Sequence, residues 1–113
     1  MTGDFYGLPT ESITAAPLRL EYLSGAGPRL VRLFYGDSNQ NLFVEVPERK
    51  RETAYGEYRI RGGHRLWHAP EAIPRSYAPD NSPLQVSELN GGLHVVQPVE
   101  ALTGIQKELE IYL

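Results

Sequence analysis

Residues 62–81 read GGHRLWHAPEAIPRSYAPDN, a span that holds two of the three histidines, the one tryptophan and three of the nine prolines. His64 is the candidate catalytic group. An unperturbed imidazole, with a pKa of ~6.5, gives or takes a proton near neutrality. Glu71, Asp80 and Glu108 are the carboxylates available as its partner. Trp67 offers a flat face on which a sugar ring stacks and an N–H for a hydroxyl, or else a large apolar contribution to a core. Arg61 and Arg65 are candidates for holding sugar hydroxyls or an acidic sugar, with solvated or ion-paired surface as the alternative. Asp80 and Asn81 suit hydrogen bonding to a hydroxyl-rich ligand. The candidate contact set is therefore Arg65, Trp67, His68, Glu71, Asp80 and Asn81, with His64 as the catalytic candidate.

Other chemistries find less support. On one strand His64 and His68 would stand ~13 Å apart, at ~3.3 Å per residue. That is too far to share an ion with bonds of ~2 Å, so no metal site is expected. Gly62-Gly63 and Gly91-Gly92 lack the following helix that would aim backbone N–H groups at a phosphate. No Gly-x-Ser-x-Gly nucleophile motif occurs, and no cofactor is expected. His94 reads as a sheet histidine with a satisfied ring.

The elements that must position these residues are strands. In PLRLEYL, Leu18, Leu20 and Tyr22 alternate with Arg19 and Glu21. In RLVRLFY, Val31, Leu33 and Tyr35 form one set and Leu30, Arg32 and Phe34 the other. NLFVEV, residues 41–46, and IQKELEIYL, residues 105–113, alternate as well. PLQVSEL and LHVVQP flank Asn90-Gly91-Gly92, and Asn-Gly accepts the positive φ of a type I′ turn, so a tight hairpin is predicted. GGHRLWHAPE reads as a strand with His64, Leu66 and His68 on one face and Arg65 and Trp67 on the other. Pro70, Pro74, Pro79 and Pro83 then block regular structure, which makes residues 69–83 a long ordered loop, often a functional feature. Seven or eight strands follow, in the range of an antiparallel sandwich or barrel.

The chain has 113 residues, a net charge of −3 and no cysteine. That length predicts one domain over 1–113. The mild acidic balance excludes a phosphate backbone as the expected partner. Arg49-Lys50-Arg51, bracketed by Glu48 and Glu52, reads as a solvated loop. No apolar run reaches the ~20 residues of a membrane span. The start, MTGDFYGLPTES, does not read as a signal peptide, so the cytoplasm is the expected compartment. The final alternating run needs a partner, either as a central strand or against a second copy of the chain, and a homodimer is expected.

The run YGEYRIRGGHRLWHAPE, then SYAPDNSPLQV and TGIQKELEI, resembles an uncharacterised bacterial branch of the galactose-mutarotase-like superfamily. The matching pieces are Gly62 to Trp67, Pro70-Glu71, Pro79 to Asn81 and Thr103 to Glu108, with Asn41 to Phe43 earlier. The resemblance spans residues 17–113 and implies the N-terminal half of a large antiparallel β-sandwich with carbohydrate ligands. Aldose 1-epimerases of that fold use a His and a Glu. The catalytic Glu lies in their second half, and no residue here matches it. The resemblance thus implies a carbohydrate-binding domain. The alternatives are an epimerase active only as an assembled dimer, with His64 acting beside a partner-supplied carboxylate, and a non-enzymatic module that assembles through sheet edges.

Overall fold

The computed structural model describes residues 2–113. Ten strands run through them: β1 (Thr2–Phe5), β2 (Leu8–Ala15), β3 (Leu18–Leu23), β4 (Arg29–Tyr35), β5 (Glu45–Thr53), β6 (Gly56–Gly62), β7 (His64–Arg65), β8 (Gln85–Leu89), β9 (Gly92–Val96) and β10 (Glu108–Tyr112). The one other regular element among the described residues is a 3₁₀ turn, Arg75–Tyr77. The fold is all-β, and every pairing is antiparallel. The strands form three separate sheets, ordered β1-β2-β3-β4-β7, β10-β9-β8 and β5-β6. None of them closes, so the sandwich expected from the strand count is not the arrangement found.

The alternation in β3 is the one read from sequence. Leu20 and Tyr22 are buried together, while Arg19 and Glu21 meet on the other face at 3.3 Å. In β4 the alternation breaks. Glu21 pairs with Arg32 and Tyr22 with Leu30, which leaves Val31 as the extra residue of a β-bulge. A bulge shifts the side-chain phase by one. Leu30 and Leu33 therefore reach the same core, although simple alternation puts them on opposite faces. Val31 instead packs with Phe5, Leu23 and Ala26 in a second cluster. The larger core joins Leu20 and Tyr22 of the five-stranded sheet to Val95 of β9 and Ile111 of β10. It is this apolar seam that holds the first and second sheets together.

Three strand expectations are corrected. Residues 41–44 are not strand, because the Asn41 side chain takes over the pairing. Its Oδ1 accepts from the N–H of Leu33 and of Phe43, both at 3.0 Å, and its Nδ2 donates to the Val31 carbonyl at 2.9 Å. Arg49-Lys50-Arg51 lies within β5 and not in a loop. The histidine segment contributes only His64–Arg65 as strand, at the edge next to β4. The hairpin at Asn90-Gly91 forms, with Leu89 opposite Gly92, but its turn is not type I′: Gly91 is at φ 81° while Asn90 does not take positive φ. The final strand is an edge strand of its sheet rather than a central one.

Candidate functional site

The step from β6 to β7 sets the site. Gly62 and Gly63 have φ of 102° and 66°, conformations that disfavour a Cβ. A Cβ on Gly62 would meet the Val44 carbonyl oxygen at 2.0 Å, and one on Gly63 the Leu30 carbonyl oxygen at 2.0 Å. Gly63 also donates its N–H to Val44 at 2.9 Å. Only glycines fit where this chain crosses two others. The crossing delivers Arg65 to the interior and leaves His64 exposed beside it.

The interior side carries a compact ion cluster. Arg29 is 1% exposed, and its Nε and Nη2 donate to the two oxygens of Asp80 at 2.7 and 3.0 Å. The remaining Arg29 donors go to the carbonyls of Ile60 and Arg59. Arg65 Nε lies 3.6 Å and Arg61 Nη1 4.0 Å from the same carboxylate. Arg65 also donates to the carbonyls of Ser76 at 2.8 Å and Ala78 at 3.2 Å, which ties the proline loop to β7. Burial, and then repulsion from Arg29 and Arg59, holds Arg61 below its ordinary pKa, with Asp80 acting the other way. Lys107 is buried too and is paired with Glu100 at 3.2 Å.

Above this cluster stand three aromatic rings. Tyr58 from β6, Trp67 and Tyr77 have pairwise centroid separations of 6.0, 5.4 and 5.6 Å, all tilted or edge-on. Guanidinium groups cover their faces: Arg65 lies 4.4 Å from Trp67 and 4.8 Å from Tyr58, and Arg51 lies 4.7 Å from Tyr77. Such cation–π contacts hold planar groups in register. A cleft of about 320 Å³ opens here, lined by Arg51, Arg65, Tyr58, Trp67 and Tyr77 with Arg29 and the two glycines at its base. Trp67 is 46% exposed and forms a wall of the cleft rather than a core residue. On its other side a second cleft of about 320 Å³ is bounded by Trp67, His68, Glu71 and Tyr77. There the Tyr77 hydroxyl donates to the Glu71 carboxylate, and this bond raises the tyrosine pKa.

The expected set therefore divides. Arg65, Trp67, His68 and Glu71 converge on these adjoining clefts. Asp80 and Asn81 do not line them. The Asp80 carboxylate is 1% exposed and consumed by arginines, and the Asn81 oxygen accepts from Arg61 at 2.7 Å. His64 lines neither cleft, and Glu108 sits on β10 against His94 at 2.9 Å. Arg61 and Arg65 are buried cluster members and not solvated surface. Among the described residues no group of three His, Cys, Asp or Glu side chains is placed to hold a metal ion. Tyr58, Tyr77 and Arg51 were missed as site residues. No sequence reading pointed to them, since Arg49-Lys50-Arg51 reads as a solvated loop; it is the register of β5 with β6 in the structure that sets Arg51 opposite Tyr58.

Among the described residues no helix is long and apolar enough to cross a membrane. Comparison with family models, with characterised proteins and with solved structures yields no match.

Proposed function

We propose that this chain is a cytoplasmic carbohydrate-binding domain that holds its ligand without turning it over. The supporting observation is the half-exposed Trp67 walling a cleft between Tyr58 and Tyr77. Aromatic faces beside charged hydrogen-bond donors suit a ring with apolar C–H faces and polar edges. The resemblance of residues 62–67 and 79–81 to galactose-mutarotase-like proteins agrees with that ligand class. Epimerisation gains no comparable support, because His64 lines neither of the clefts that Trp67 walls.

Trp67 is the one tryptophan, so intrinsic fluorescence reports on the cleft directly. Titration with a panel of aldoses and uronic acids should change its emission saturably. No change at millimolar ligand would overturn the proposal. Polarimetry of fresh α-galactose checks turnover, and no acceleration over buffer is expected.

Self-assembly through the free edge of β10 is a second reading, favoured by exposed Tyr112 and Leu113 at that edge. Light scattering at high concentration tests it, and a strict monomer removes it.

A further inference from the structure

The charges around the first cleft are unbalanced. It is lined by three arginines, Arg29, Arg51 and Arg65, and by no carboxylate. Behind it one carboxylate, Asp80, serves Arg29, Arg61 and Arg65 together. Three guanidiniums against one carboxylate leave two positive charges uncompensated in the cluster. Lys107 does not alter the count, since Glu100 neutralises it. Arg51 at the exposed rim has no carboxylate within ion-pair distance among the described residues; it lies over the Tyr77 ring and hydrogen-bonds the Tyr77 side chain, whose hydroxyl donates to Glu71. All this occurs in a chain whose net charge is −3, so the positive cleft is not a by-product of a basic protein. A low-dielectric wall of aromatic rings focuses such a field on whatever enters. The one nearby acid, Glu71, faces the second cleft beyond Trp67.

We infer that the first cleft takes an acidic sugar: a uronic-acid ring set against Trp67 and Tyr77, with its carboxylate on Arg51. This rests on the carbohydrate-binding reading and specifies its ligand. Arg51 can supply a forked, charge-assisted pair of hydrogen bonds to a carboxylate. Arg29 and Arg65, already engaged, contribute field rather than contact. A bare inorganic anion would use the charge but leave the three rings without a partner.

The test titrates the intact chain with galacturonate, its uncharged methyl ester, galactose and inorganic sulfate, read by Trp67 fluorescence and calorimetry. Galacturonate should bind about tenfold more tightly than the ester or galactose, as expected of one charge-assisted contact. That preference should shrink in molar salt. Arg51→Gln, at an exposed position, should abolish the preference, so that within this variant galacturonate binds no more tightly than its methyl ester, while the circular dichroism spectrum stays that of the unsubstituted chain. Equal affinity for acid and ester, or an undiminished preference in Arg51→Gln, would overturn the inference and leave the carbohydrate reading standing. Sulfate that matches galacturonate in affinity would overturn it as well, since the ring would then contribute nothing. Silence to every sugar would remove both readings.

Discussion

Arg29 and Asp80, fifty-one residues apart in the chain, form a two-point ion pair in which each side chain is 1% exposed. The pair fastens β4 to the end of the proline loop, and the Gly27 N–H adds a bond to the Asp80 carbonyl at 2.9 Å. Breaking a buried pair costs more than the pair contributes, because the survivor stays charged and desolvated. Asp80→Ala strands three arginines at once. It should lose about 3–5 kcal/mol in urea unfolding. A loss below 1 kcal/mol would mean that water reaches the cluster freely.

Gly62→Ala and Gly63→Ala each place a methyl group within 2.0 Å of a carbonyl oxygen at positive φ. Neither oxygen can move without breaking a strand crossing. Backbone strain and overpacking together should cost roughly 2–5 kcal/mol. Gly91→Ala, at a hairpin tip where an added methyl meets nothing within 4 Å, carries only the conformational penalty. Thermal unfolding of the three variants should rank them in that order.

Trp67→Ala should separate binding from stability. The ring is 46% exposed, so its removal should destabilise by only about 1–2 kcal/mol, against the 3–5 kcal/mol of a buried aromatic. Sugar affinity should fall at least tenfold, measured by calorimetry because the fluorophore is gone. Wild-type affinity in this variant would move the ligand elsewhere.

Glu100 sets an acid limit on stability. Burial alone would raise its pKa. Hydrogen bonds from Thr103 at 2.6 Å and Gln97 at 3.1 Å, with Lys107 at 3.2 Å, outweigh that and lower it. The unfolded chain then holds this proton more readily than the folded one, so stability rises with pH across the interval between the two values. The contribution is fully present above the ordinary carboxylate value of ~4.3 and is lost as pH falls through the depressed folded value. Glu100→Gln should flatten that part of the profile in urea midpoints taken at descending pH. An unchanged slope would assign the acid limit to other carboxylates.

The sequence by itself determined whatever depends on neighbours along the chain. Leu20 and Tyr22 alternate with Arg19 and Glu21 because a half-buried strand has period two. The chain turns tightly at Asn90-Gly91 because Gly91 takes positive φ without strain. The same local logic misplaced the third run. Asn41 replaces ladder bonds with side-chain bonds, and the neighbouring strand β5 carries charges on both faces, so alternation gives no sign of it. Tertiary structure alone decided the site. Whether Arg65 faces solvent or the interior depends on Asp80, Ser76 and Ala78, all brought to it by the proline loop. Tyr58, Trp67 and Tyr77 come from a strand, an irregular stretch and a 3₁₀ turn, and no sequence spacing encodes their meeting. Hydrogen-bonded ion pairs and ring contacts form only between groups a few ångströms apart, so they depend on which groups the folded backbone sets side by side.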